Sequence, residues 1–71
     1  MYSYRTRLGK VAILATDAGW QATFNGVPIG TYGSPEDAAA AMSASVGFHG
    51  TMHDLFMMLR VPADLDYWSK R

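Results

Sequence analysis

GWQATFNGVPIGTYGSPED, residues 19–37, is the stretch that decides the fold of this chain. Asn25-Gly26 is the pair that type I′ hairpins prefer, because both central residues of that turn have positive φ. Apolar and polar side chains alternate on each side of the pair, as they do in half-buried strands. The stretch therefore predicts two antiparallel strands joined by a two-residue turn.

The turn also predicts the pairing register of the two strands. The expected pairs share one face, which is apolar apart from a single threonine: Phe24–Val27, Ala22–Ile29 and Trp20–Thr31. Pro28, expected opposite Thr23, has no backbone N–H to donate to a further strand, so residues 27–32 are predicted at a sheet edge. An earlier strand must then lie on the other side of residues 20–24.

A helix is predicted directly after the hairpin. Ser34 suits the N-cap, Pro35 suits the first turn, and Asp37 stands where a capping box has its acid. Residues 38–41 are all alanine, the strongest helix former, and Gly47 is a natural stop. Such short side chains allow the helix to lie close to the apolar face of the sheet.

The remaining segments complete the predicted fold. Residues 11–15, VAILA, predict the first strand, and the turn signal DAG at 17–19 ends it. Thr51 and Asp54 repeat the capping pattern, followed at helical spacing by Met52, Leu55, Phe56 and Leu59. Pro62 ends that helix, and residues 63–68 follow as a short turn or helical segment. The prediction is a single α+β domain, residues 1–71: a three-stranded antiparallel β-meander in order 1-2-3, packed on an Ala-rich helix, followed by a second short helix and a C-terminal turn segment.

Composition narrows the functional classes. The chain has 71 residues, a formal net charge of zero and no cysteine, which argues against disulfides and thiolate metal sites. No apolar run has the length of a membrane span, and residues 1–5 do not begin a signal peptide. We therefore expect a soluble cytoplasmic protein.

Catalytic and metal-binding patterns are weak. His49 and His53 are four residues apart, but Gly50 and the expected cap at Thr51 argue against one shared helix, and zinc needs at least a third ligand. No serine lies in a motif that activates a hydroxyl, and no glycine pattern has the spacing of a phosphate loop. The sequence predicts no enzyme activity, no cofactor and no metal.

Three segments resemble the second half of an AP2-type DNA-binding domain. They are WQATF at 20–24, IGTY at 29–32 and SPEDAA at 34–39, which are similar to the family patterns W-x-A-x-[IF], [IL]-G-[TS]-[FY] and E-[ED]-A-A. The resemblance implies a three-stranded sheet on one helix, and DNA binding in the major groove by the exposed sheet face. The side chains that could bind nucleic acid in this way are Arg5, Arg7, Lys10 and Tyr32. Strands 20–25 and 27–32 supply no cation, so the basic side chains would come from residues 1–16, which contain no acid.

The favoured hypothesis from sequence is a different one, a small non-enzymatic module that binds another protein. Methionine and aromatic side chains suit adaptable interfaces, and acids between 54 and 66 would form a polar rim. The predicted contact residues are Met57, Met58, Asp64, Asp66, Tyr67 and Trp68. For the methionines and aromatics a place in the core remains an equal alternative. In size and character the chain is similar to accessory or inhibitor proteins of bacteria and phages, including anti-CRISPR proteins, which occlude a partner surface. Homodimerisation through the same segment stays open.

Overall fold

The computed structural model describes residues 1–44 and 59–70. Its strands form a single five-stranded antiparallel sheet in the order β4-β3-β2-β1-β5. In chain order the elements are β1 Tyr2–Thr6, β2 Gly9–Thr16, β3 Gly19–Phe24, β4 Val27–Tyr32, helix α1 Pro35–Ala44, a 3₁₀ turn Leu65–Tyr67 and β5 Ser69–Lys70.

The predicted three-stranded meander is wrong, because residues 1–16 hold two strands instead of one. Thr6 makes the missed turn: its Oγ1 accepts hydrogen bonds from the backbone N–H groups of Leu8 (3.2 Å) and Gly9 (3.1 Å). The same hydroxyl donates to the Gly9 carbonyl at 2.7 Å. Thr16 donates to the Gly19 carbonyl in the next turn at 3.0 Å. Both turns therefore use one Thr-x-x-Gly pattern, in which the threonine side chain replaces missing ladder bonds.

The C-terminal segment adds the fifth strand, which the sequence prediction also lacked. β5 pairs with β1 through Tyr2↔Lys70 and Ser3↔Ser69. The predicted short segment at 63–68 is present as the 3₁₀ turn. The second helix predicted from residue 51 onward, and the stop at Gly47, lie outside the described residues.

The Asn25-Gly26 hairpin forms as predicted near its turn. Both residues have positive φ, 52° and 84°, as a type I′ turn requires. Phe24 pairs with Val27, and β4 is the edge strand that Pro28 indicated. The first part of the hairpin prediction is therefore confirmed.

Farther from the turn, the predicted register is wrong. A β-bulge lies between the pairs of Ala22 and Thr23, so that Ala22 pairs with Gly30 and Trp20 with Tyr32. A shift of one residue exchanges the two faces of a strand. Tyr32 consequently packs against the core, and Thr31 is exposed. The bulge places a partly buried aromatic ring against the core, where the regular register would have placed a threonine hydroxyl.

Helix α1 covers one face of the sheet, and we call the other face, which no described helix covers, the open face. The Ser34 hydroxyl caps the helix by accepting a hydrogen bond from the Asp37 N–H at 3.0 Å. The buried helix residues are mostly alanine, so the backbone of α1 approaches the sheet closely. The core formed between them and the C-terminal segment consists of Val11, Ile13, Ala22, Ala38, Ala39, Met42, Val61, Leu65 and Trp68.

Candidate functional site

Strand β1 divides its side chains between the two faces of the sheet. Tyr2 and Tyr4 pack against the core on the helix side. Alternation along the strand then places Ser3 and Arg5 on the open face. This separation gives the open face the polar and charged side chains of the N-terminal hairpin.

Arg5 and Lys10 are the central pair of this site. They stand directly opposite each other on β1 and β2, and both are exposed. Within residues 1–44 and 59–70 neither cation forms an ion pair. Like charges at directly opposed positions destabilise a sheet. The fold therefore keeps two positive charges together at some cost to its own stability.

A hollow lies on each side of this cation pair. One has a volume of ≈ 350 Å³ and is lined by Met1, Ser3, Arg5, Lys10 and Ser69. The other has a volume of ≈ 250 Å³ and is lined by Arg5, Thr6, Gly9, Lys10 and Asn25. Arg5 and Lys10 form the wall that both hollows share. A ligand that extends from one hollow into the other would therefore contact both positive charges.

Asn25 fixes the position of Lys10 from the neighbouring hairpin. Its side-chain Oδ1 accepts a hydrogen bond from the Lys10 N–H at 3.0 Å, and its own N–H donates to the Lys10 carbonyl at 2.8 Å. The amide fills the space beside Gly9, where a Cβ would lie 2.5 Å from that same oxygen. The turn residue that sets the hairpin thus also joins the two turns at this end of the sheet.

The structure brings together two of the four residues predicted to bind nucleic acid. Arg5 and Lys10 are adjacent, and Arg7 is exposed in the turn that follows β1, not on an extended strand. Tyr32 lies on the opposite side of the sheet, because the bulge turns it toward the core. Burial there raises the pKa of Tyr32. The expected grouping of Tyr32 with the cations is therefore corrected.

Ser3 and Ser69 were not predicted as site residues. The alternation of β1 already placed Ser3 beside Arg5 in the sequence, so that signal was available. β5 is only two residues long and has no periodicity of its own. Ser69 is recognisable only from its pairing with Ser3.

The described residues that were predicted to bind a protein partner differ in burial: one belongs to the core and the others are exposed. Trp68 belongs to the core, with 5% of its surface exposed, and its Nε1–H donates to the Pro62 carbonyl at 2.9 Å. Tyr67 is 72% exposed. Asp64 and Asp66 are also exposed, and the Asp64 carboxylate accepts a hydrogen bond from the Asp66 N–H. Met57 and Met58 lie outside the described residues.

Charge is unevenly distributed along the strand direction. Arg5 and Lys10 lie at the end of the sheet that carries the Asn25 turn. Asp17 lies in the turn at the other end, where β4 ends and α1 begins with two acids in its first turn. Strands β1–β4 and helix α1 therefore carry cations at one end and acids at the other, while Asp64 and Asp66 lie in the segment that leads into β5.

Within residues 1–44 and 59–70, no group of three or more His, Cys, Asp or Glu side chains is placed to hold a metal ion. His49 and His53 lie outside that part of the chain. The described helices include none with the length and apolar character needed to cross a membrane.

Comparison with known proteins gives no relative from which a function could be transferred. No family model, no curated protein and no solved structure matches this chain.

Proposed function

We propose that this protein is a non-enzymatic nucleic-acid-binding domain whose open face contacts the phosphate backbone. The observation that carries the proposal is the opposed, exposed and unpaired pair Arg5 and Lys10. Lys and Arg contacts to phosphates supply most of the sequence-independent affinity for nucleic acids. A phosphate beside the pair also relieves the repulsion between the two cations.

The open face favours a phosphate ligand over an apolar protein surface. The five strands direct their aromatic rings to the helix side, where they pack on the core: Tyr2, Tyr4, Trp20, Phe24 and Tyr32. Protein interfaces usually draw their affinity from aromatic anchors, and bases stack on the same kind of ring. The open face instead offers hydroxyl groups and cations, together with the aliphatic side chains of Leu14 and Pro28. We therefore expect contacts to the sugar-phosphate backbone, with little base stacking and little sequence preference.

The number of cations limits the strength of binding. Arg5, Arg7 and Lys10 can together neutralise about three phosphates, which gives a slope of about −2 to −3 in a plot of log K against log salt for duplex DNA. Binding is then strong at low salt and weak at physiological salt. The AP2 resemblance points to the same face of the sheet and stays a prediction.

Backbone amide chemical shifts in an NMR titration with a short duplex test the proposed face. We expect the largest changes at Ser3, Arg5, Lys10 and Asn25, at low salt. Amides of the 3₁₀ turn around Tyr67 serve as an internal control and should move little. Changes centred on the 3₁₀ turn, or no changes at all, would contradict the proposal.

A second function is favoured by one observation, the exposure of Tyr67. This residue is 72% exposed and follows the exposed acids Asp64 and Asp66, although the next residue, Trp68, is anchored in the core. A rigidly held aromatic with an acidic rim suits a protein partner with a basic surface. Tyr67→Ala should abolish co-purification of such a partner from the source cell and leave thermal unfolding unchanged. Retention of the same partner by Tyr67→Ala would exclude this function.

Self-association through the 3₁₀ turn is part of this second function. Sedimentation equilibrium of the wild type and Tyr67→Ala tests it directly. A monomer in both proteins would exclude the homodimer.

A further inference from the structure

We infer that the hollow between β1, β2 and β5 is a subsite for a terminal phosphate monoester, so that the protein prefers nucleic-acid ends that carry a phosphate. The inference rests on the proposed function and assigns a ligand group to one part of the open face. It adds Ser3 and Ser69 to the binding residues and leaves Tyr32 and Arg7 out of this subsite.

The polar side chains that line the hollow match an anion. Arg5 and Lys10 supply a guanidinium and an ammonium group, which only donate hydrogen bonds. Ser3 and Ser69 add two hydroxyls, which the pairing of β1 with β5 places opposite each other. Among the residues that the structure describes, none that lines this hollow has a carboxylate side chain. Charge-assisted hydrogen bonds from such donors to phosphate are about twice as strong as neutral ones.

The shape of the hollow favours a chain end over an internal phosphate. β5 walls it on one side, which makes it more enclosed than the hollow next to Asn25. An internal phosphodiester is flanked by nucleotides on both sides and carries one negative charge. A terminal monoester enters from one side, carries a charge of about −1.5 to −2 and presents three acceptor oxygens. Two cations and two hydroxyls satisfy the monoester more completely than the diester.

The position of Ser69 depends on the buried residue before it. Trp68 packs its ring 5.8 Å from that of Tyr4, measured between centroids, and its Nε1–H is bonded to the Pro62 carbonyl. On the helix side, the Lys70 ammonium lies 5.7 Å from the centroid of the Tyr2 ring. These contacts hold a two-residue strand against β1 and keep the Ser69 hydroxyl at the rim of the hollow.

Fluorescence anisotropy with matched oligonucleotides tests the subsite. Two duplexes of one sequence, labelled at the far end, differ only in a 5′-phosphate or a 5′-hydroxyl at the near end. We expect the wild type to bind the phosphorylated duplex about tenfold more tightly at low salt. Ser69→Ala and Ser3→Ala should each reduce that preference severalfold.

Matched controls separate the subsite from the rest of the face. Thr31→Ala removes an exposed hydroxyl from β4, on the same face but away from the hollow, and should keep the full preference. Arg5→Ala should weaken binding of both duplexes. Thermal unfolding of Ser69→Ala and Ser3→Ala should match the wild type, which shows that any loss of preference is not a loss of fold.

Three outcomes decide the inference. Equal, salt-dependent affinity for both ends overturns the subsite and leaves the proposed function standing. No binding of either duplex overturns both. Competition with nucleoside monophosphate identifies the source of the phosphate: displacement at the same concentration as the phosphorylated duplex would assign the hollow to a small ligand and overturn end recognition.

Discussion

At the scale of single residues, the opposed cations on β1 and β2 lower the stability of the fold, and in the proposed function they supply affinity for nucleic acid. Lys10→Glu replaces the repulsion between Arg5 and Lys10 with an attraction between Arg5 and the new carboxylate, so the free energy of unfolding should rise by about 0.5 kcal/mol. The same change should abolish nucleic-acid binding. Urea denaturation and anisotropy measure the two effects on one sample.

Lys70→Glu is the matched control for Lys10→Glu, because the side chain of Lys70 lies on the helix side against Tyr2. It should leave affinity close to that of the wild type and should not stabilise the fold. A fall in stability of Lys10→Glu would show that Arg5 and Lys10 do not repel each other in solution.

Tyr32 gives a prediction for alkaline pH. Burial raises the pKa of Tyr32 above its ordinary value of 10.0, so the unfolded chain ionises first as the pH rises. Its contribution to stability is complete below pH 10.0 and is lost as the pH rises through the higher native pKa. Thermal unfolding between pH 8 and 11 should therefore show a steeper decline for the wild type than for Tyr32→Phe. Parallel curves would contradict the partial burial of the hydroxyl.

Gly19 and Gly26 differ in how much space the fold leaves for a Cβ atom. At Gly19 a Cβ would lie 2.6 Å from the Tyr32 carbonyl oxygen, and φ is 129°. At Gly26 φ is 84°, but no atom lies within 4 Å. Gly19→Ala should therefore destabilise the fold by at least about 3 kcal/mol, whereas Gly26→Ala should cost about 1 kcal/mol. Chemical denaturation distinguishes them, and equal losses would contradict the close approach of β3 to β4.

At the scale of elements, the C-terminal segment acts through a buried anchor. Trp68→Ala removes a core ring and its hydrogen bond to Pro62, so it should cost about 3–5 kcal/mol and release β5. Tyr67→Ala should change stability by less than about 0.5 kcal/mol, because this ring is mostly exposed. Thermal unfolding of the two single variants checks the contrast. Similar melting temperatures would show that Trp68 is not part of the core.

The elements that the sequence could predict are those specified by local chemistry. Asn25-Gly26 requires positive φ, Ser34 offers a capping hydroxyl, and Pro28 lacks a donor, so each indicates its structure without help from distant residues. The Thr6–Gly9 turn lacked a recognised local signal, although its threonine bonds repeat those of Thr16.

The bulge and the fifth strand depend on tertiary packing. Tyr32 reaches the core only because the pairing shifts by one residue beyond Thr23, and that gain comes from burial, not from a turn signal. Ser69 joins the sheet because Trp68 is anchored beside Tyr4. Of the candidate site, the sequence therefore predicted Arg5 and Lys10 but not the hydroxyls that complete the hollow.

At the scale of the whole molecule, one face of the sheet builds the core and the other carries the cations. The acids of the β2–β3 turn and of the first turn of α1 lie at the end opposite Arg5 and Lys10. A polyanion should therefore approach the Arg5–Lys10 end of strands β1–β4 more favourably than the end that carries Asp17.

The salt dependence of duplex binding tests the central claim most directly. Anisotropy titrations between 50 and 200 mM salt should give a slope of about −2 to −3 in log K against log salt, and Arg5→Ala and Lys10→Ala should each reduce its magnitude by about 1. Lys70→Ala removes the same charge from the helix side and should leave the slope nearly unchanged. Absence of salt-dependent binding, or an equal effect of all three substitutions, would contradict the assignment of the open face as the nucleic-acid-binding surface.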